Sequence, residues 1–219
     1  FDLILNCVIA DEPVMLVGEA GTGKNVICKQ IAELMDLEFY FSNAVTQEHK
    51  LTGFIDANGT YHETQFYKAF KDGGLFFLDE IDASIPETLL ILNSAIANRY
   101  FDFPIGKINA HKDFRIISAG NTFGTGASYA YSGRSQLDMA SLDRFAIIEV
   151  GYSPRIEDSL TEDKSLLEFI RDFRKTCKDN GINHLATYRS ITRLDKLSKF
   201  MDTKDALNYY LKNYNNGRK

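Results

Sequence analysis

The stretch PVMLVGEAGTGKN, residues 13–25, constrains this chain more than any other. Pro13–Gly18 is a short apolar run ending in glycine, which reads as a buried strand. From Lys24 the spacing turns helical, with Ile27, Ile31, Leu34 and Met35 expected on one buried face. Between strand and helix, GEAGTGKN fits the phosphate-loop pattern G-x-x-x-x-G-K-[ST] at every position but the last. Glycines there let backbone N–H groups converge on an anion, and the helix N-terminus adds positive potential. Gly18, Glu19, Ala20, Gly21, Thr22, Gly23, Lys24, Asn25 and Val26 form the expected cradle, with Lys24 reaching the β- and γ-phosphates. Asn25 stands where the pattern places a Mg²⁺-binding hydroxyl. Its amide oxygen is also a neutral acceptor, so it serves the metal directly or through water, or else it marks a site that binds without turnover.

A second element points to the same chemistry. Leu75–Glu80 reads LFFLDE, an apolar strand ending in two acids. In open α/β sheets ligands bind beyond the carboxyl ends of the strands, where such acids face a site. Asp79 is expected to hold Mg²⁺ and Glu80 to polarise an attacking water. No guanine-recognition motif accompanies the loop, so ATP is favoured over GTP. Nothing suggests a covalent nucleophile.

The rest of the first half repeats the strand–helix rhythm. Glu38–Phe41, Phe114–Ala119 and Phe145–Val150 are further apolar strands, giving five buried parallel strands covered on both faces. Ser84 is expected to start a helix running to about Asn98, with Pro86 in its first turn and Glu87 completing a capping box. Two segments break the rhythm as β-hairpins. Gly53–Glu63 centres on Asn58-Gly59, and Tyr100–Ala110 turns at Pro104 and Gly106. GTGAS at 124–128 lacks a following lysine and reads as a mobile loop rather than a second phosphate site. After Ser153-Pro154 the pattern becomes helical, with Ser165–Lys178, Ser190–Met201 and Thr203–Tyr214 amphipathic. The expected organisation is a nucleotide-binding α/β core over 1–153 and a helical lid over 154–219.

GEAGTGKN, LFFLDEID, the strand-ending Asn121 of FRIISAGN and the SLDRF segment, taken in order, resemble an AAA+ ATPase along essentially the whole chain. The two hairpins make it similar to the clade with helix-2 and presensor-1 insertions, which includes MoxR-like ATPases, chelatase ATPase subunits, dynein and midasin. MoxR-like and cobalt-chelatase-like proteins of bacteria and phages are nearest in pattern. The resemblance implies a P-loop three-layer sandwich with a five-stranded parallel sheet, two hairpin insertions and a small helical lid. It also implies ATP and Mg²⁺ as cofactors, and hydrolysis at the subunit interfaces of a homo-oligomeric ring, a hexamer, that remodels a protein partner. A partner with a von Willebrand A domain is the expectation for that branch. Asn121 matches sensor 1, Arg144 the arginine finger with Arg134 as its alternative, and Arg189 sensor 2 with Arg193 as its competitor. A nucleotide-gated assembly module and a phage nucleic-acid motor remain as rival readings.

Composition narrows these. A net charge of -5 and a pI near 5.4 argue against broad capture of nucleic acid. No apolar run approaches the ~18 residues of a membrane helix. Cys7, Cys28 and Cys177, with His49, His62, His111 and His184, are scattered without metal-ligand spacing, which fits a reducing cytoplasm rather than a disulfide or zinc framework.

Overall fold

The computed structural model describes residues 1–127, 131–182 and 186–215, with side chains through residue 212. The chain divides into two compact units, one of Phe1–Glu19 and Gly23–Val150, the other of Ala20–Thr22 and the chain from Gly151 onward.

The first unit opens with α1 (Asp2–Ile9), β1 (Val14–Val17), α2 (Lys24–Leu34), β2 (Phe39–Ser42) and the single turn α3 (His49–Thr52). A hairpin of β3 (Phe54–Ile55) and β4 (Tyr61–His62) follows, then α4 (Gln65–Asp72), β5 (Gly74–Leu78), a 3-10 turn over Ile81–Ala83 and α5 (Pro86–Asn98). The second hairpin, β6 (Tyr100–Phe103) with β7 (Gly106–Asn109), leads to β8 (Phe114–Gly120), α6 (Met139–Leu142) and β9 (Ala146–Glu149). Five strands form one sheet in the order β2-β5-β8-β1-β9, and every pairing in it is parallel.

Side chains alternate across a strand, so each buried strand feeds two cores. Met15 and Val17, Phe76 and Leu78, Phe114 and Ile116 enter one core with Phe66, Phe70 and Phe103. Val14 and Leu16, Leu75 and Phe77, Ile117 and Ala119 enter the other with Cys28 and Ile31. That division is the three-layer sandwich. Each buried phenylalanine contributes roughly 1.5–3 kcal/mol over its exposed state, and Phe70 meets Phe114 edge-on with centroids 5.0 Å apart.

Several elements depart from the sequence expectation. β9 is an edge strand with alternating burial, and β2 is an edge strand only partly covered, so neither is a fully buried strand. On α2 the buried face is Lys24, Cys28, Ile31 and Ala32, while Leu34 is 66% exposed. The helix is phased by Lys24, whose amine turns inward, and i+4, i+7 and i+8 follow it. Ser84 does not N-cap α5. Its hydroxyl accepts from the Val45 amide at 2.9 Å, and α5 starts one residue later with Ile85 as N-cap and Pro86 as its first residue. α1, α3 and α4 had no counterpart in the sequence reading. Both hairpins form, Phe54 opposite His62 and Tyr100 opposite Asn109. Of the 124–128 loop, Ser128 lies outside the described residues. The described part is tethered rather than loose: Thr125 bridges Gln136 and the Leu137 amide donates to Gly124 O at 3.0 Å.

The second unit is helical: α7 (Pro154–Leu160), α8 (Lys164–Asp179), α9 (Tyr188–Ser198) and α10 (Thr203–Asn215). Leu166, Ile170, Ile191, Leu194, Ala206 and Tyr210 form its core. The carboxylate of Glu157 on α7 is buried and neutralised by Arg171 and Arg174 of α8, each at 2.8 Å. α7 was not foreseen. No helix among the described residues is long and apolar enough to cross a membrane.

Candidate active site

The sheet order sets β5, β8 and β1 side by side. Val17 pairs with Gly120, so Gly18 and Asn121 leave the sheet together, and Leu78 pairs with Ser118, so β5 ends two residues earlier with Asp79 beside Ala119. The loop after β1 is stitched to β8 by Gly18 N to Gly120 O at 3.3 Å. A Cβ at Gly18 would overlap the carbonyl oxygen of Val150, so the position admits only glycine. Gly23 caps α2 in the left-handed region, φ 88°, and the helix begins at Lys24.

Lys24 is buried. Its amine donates to Gly18 O at 2.7 Å, to Glu19 O at 3.0 Å and to Asn121 Oδ1 at 3.2 Å. The ammonium of the first motif therefore meets the amide that ends β8, across 97 residues of chain. The Asp79 amide donates to Ser42 O at 2.8 Å, tying the end of β5 to the end of β2. Burial first, and the Asp79 charge second, push the Cys28 thiol far above its usual range. Cys28 lies one helical turn from both Lys24 and Asn25. Glu80 follows in the left-handed region, φ 55° and ψ 41°, with its amide on Asp79 Oδ1 at 2.9 Å. A non-glycine residue held there costs about 1–3 kcal/mol and persists only where its surroundings impose it.

Two further residues join this group. Asp82 is wholly buried on the 3-10 turn, and its Oδ2 accepts from Asn121 N at 3.0 Å, Thr122 N at 2.9 Å and Thr122 Oγ1 at 2.9 Å. Arg134 donates from Nη1 to Asp82 Oδ1 at 3.2 Å and from Nη2 to Glu80 Oε1 at 3.3 Å. Sequence reasoning missed Asp82. Its one signal is an acid set between apolar Ile81 and Ala83 just past a buried strand, where a charge needs a partner.

The AAA-domain family of the dynein-related subfamily matches residues 13–145, from β1 through Phe145 at the threshold of β9. This chain belongs to that family. Uncharacterized proteins of Staphylococcus saprophyticus and Staphylococcus epidermidis are 26% and 28% identical to it, each over 89% of this chain and 81% of the relative. NtrX from Brucella abortus is similar in fold, with a TM-score of 0.63 at 18% identity over 92% of this chain. The chain spans about half of NtrX, 51% of its length. The same protein has been solved with ADP and with ATP, at TM-scores of 0.59 and 0.58 to this chain.

Asn25 is half-buried and Val26 is 57% exposed on the first turn of α2, and Thr22 is buried. The loop tip Ala20–Thr22 groups with the second unit, where Tyr152 Oη donates to Ala20 O at 3.0 Å. Arg144 donates to the carbonyl of Ala140, four residues earlier. Arg189 is exposed at the second position of α9, behind a capping box of Thr187 and Ser190. Arg193 lies over the Tyr209 ring at 6.0 Å.

Proposed function

We propose that this chain binds and hydrolyses ATP with Mg²⁺ as an AAA+ core and lid of MoxR-like or chelatase-like type, and that it acts in a ring that remodels a protein partner. The observation that carries the reading is the Lys24–Asn121 contact beside the Asp79–Glu80 strand end. With β5, β8 and β1 adjacent in the sheet, Lys24, Asp79, Glu80 and Asn121 offer what the reading needs: an ammonium for phosphate, an acid for the metal, a base and a polar sensor. The ADP and ATP complexes of NtrX add support, since they are nucleotide complexes of a protein with this fold.

The residues present fit Mg²⁺. This ion takes one or two carboxylates and fills its other positions with phosphate oxygens and water; the carboxylate of Asp79 after β5 and the amide oxygen of Asn25 on the first turn of α2 would be the protein donors. The ion would neutralise charge on the transferred phosphoryl group. Lys24 exchanges the carbonyls of Gly18 and Glu19 for the β- and γ-phosphates. Glu80 takes the proton of the attacking water, and Asn121 orients that water. Arg144 reaches a neighbouring subunit's nucleotide, and Arg189 acts as sensor 2 at the start of α9. The proposed ring is a hexamer in the cytoplasm, and its proposed partner carries a von Willebrand A domain.

Glu80→Gln tests the reading. It should keep ATP affinity and lose phosphate release by on the order of a hundredfold or more, because the amide cannot accept the proton. Equal turnover in variant and parent removes Glu80 from the role. Lys24→Ala should lose affinity instead.

One observation favours a second reading, a nucleotide-gated module with little turnover: Asn25 replaces the metal-binding hydroxyl. Steady-state phosphate release by the parent separates the two.

A further inference from the structure

We infer that Asp82 and Arg134 form an internal positioning relay that fixes Glu80 relative to Asn121 within one subunit, which makes Arg134 a positioning residue and not a finger for a neighbour. The inference rests on the proposed ATPase reading.

The relay starts at a charge that must be neutralised. Asp82 is wholly buried, and an unpaired carboxylate there would be expensive. Its Oδ2 is filled by the amides of Asn121 and Thr122 and the Thr122 hydroxyl. These bonds set the backbone of the segment that carries the Asn121 side chain toward Lys24. Its Oδ1 takes Arg134. Arg134 is also held through its chain, because the next amide, Ser135 N, donates to Asp82 O at 2.7 Å.

Neutralising Asp82 needs one N–H of the guanidinium. The second nitrogen goes to Glu80 Oε1, the residue held in the left-handed conformation at the end of β5. One planar fork therefore spans two carboxylates of different burial, Asp82 wholly buried and Glu80 with its side chain 48% exposed. A lysine can keep the charge beside Asp82 but cannot bridge both carboxylates, because its ammonium is a single point. The Arg134 side chain itself is only 11% exposed, whereas a residue that inserts into a neighbour's site must stand clear of its own subunit.

The test uses Arg134→Lys and Arg134→Gln in the full chain. Lys protects the fold by leaving a charge near Asp82, and Gln removes it. With fluorescent ATP analogue binding and phosphate release measured together, Arg134→Lys should hold affinity near the parent. Its kcat should fall on the order of tenfold to a hundredfold with little change in KM, the size seen when a catalytic group is slightly misplaced. Carbon-13 relaxation of the Glu80 side chain in labelled, nucleotide-free protein should show it more mobile in both variants. Unchanged Glu80 mobility in both overturns the inference, as does a kcat equal to the parent's. Recovery of turnover on mixing Arg134→Lys with Lys24→Ala protein also overturns it, because Arg134 would then act across an interface. A parent that releases no phosphate overturns the ATPase reading alone, and the relaxation measurement still decides the relay.

Discussion

Asn25 is the residue that separates the two proposed readings. Its amide oxygen lies one bond further from the backbone than a hydroxyl, on the first turn of α2. Asn25→Ala removes that oxygen and should raise the Mg²⁺ concentration needed for hydrolysis, at a cost of about 1–3 kcal/mol for a lost polar partner. Asn25→Thr should keep Mg²⁺-dependent binding with equal or faster turnover. A Mg²⁺ titration of ATP binding and phosphate release on the three proteins checks both, and an alanine variant matching the parent throughout makes Asn25 a spectator. Asp82 carries a different prediction, on stability. Asp82→Ala strands two backbone amides, a hydroxyl and the Nη1 end of the Arg134 guanidinium. Breaking a buried charge pair from one side costs about 3–5 kcal/mol, so urea unfolding should show a loss of that size. A loss under about 1 kcal/mol would mean that water replaces the carboxylate.

At the scale of elements, the first hairpin has its own lock. Asp56 Oδ1 accepts from Asn58 N and Thr60 N, each at 2.9 Å, and Oδ2 meets His62 Nε2 at 2.9 Å. The His62 contact first, then the Thr60 amide, hold the Asp56 carboxyl below its usual range. A depressed carboxyl stabilises the fold above its unfolded value and loses that effect as pH falls through the folded one. Amide exchange at Asn58 and Thr60, corrected for intrinsic rate, should therefore accelerate in acid before the sheet opens. Asp56→Ala should show the faster exchange already at neutral pH, and equal protection in variant and parent would show that the turn holds itself. α4 offers a simpler check. Its N-cap Thr64 accepts from Tyr67 N at 3.1 Å, and Thr64→Ala should cost about 1 kcal/mol in unfolding.

At the scale of the whole molecule, a shared site predicts complementation. The Arg144 guanidinium rests on the Ala140 carbonyl, and its proposed role is at a neighbouring subunit's nucleotide. Arg144→Ala should bind ATP and turn over slowly. Mixed with Lys24→Ala protein, it should regain activity, because some interfaces then join an intact Lys24 to an intact Arg144. Phosphate release across mixing ratios measures this. No recovery where mixed assemblies demonstrably form would assign Arg144 a local role.

Much of this architecture was legible in the residues alone, because it rests on local physics. Apolar runs ending in glycine or acids made β1 and β5 readable, and Asn58-Gly59 located a hairpin. Elements stabilised chiefly from outside were not. α4 is a helix because Phe66, Tyr67, Ala69 and Phe70 find an aromatic core built from β5, β6 and β8. β9 looks like a buried strand in sequence and becomes an edge only because β1 is its sole partner in the sheet. Ser84 carries the composition of a helix cap, yet tertiary contact gives its hydroxyl to Val45 instead. The Asp82–Arg134–Glu80 link needed the fold most of all. It joins residues up to 54 positions apart, and a guanidinium can be matched to two carboxylates only once the sheet has set where they lie.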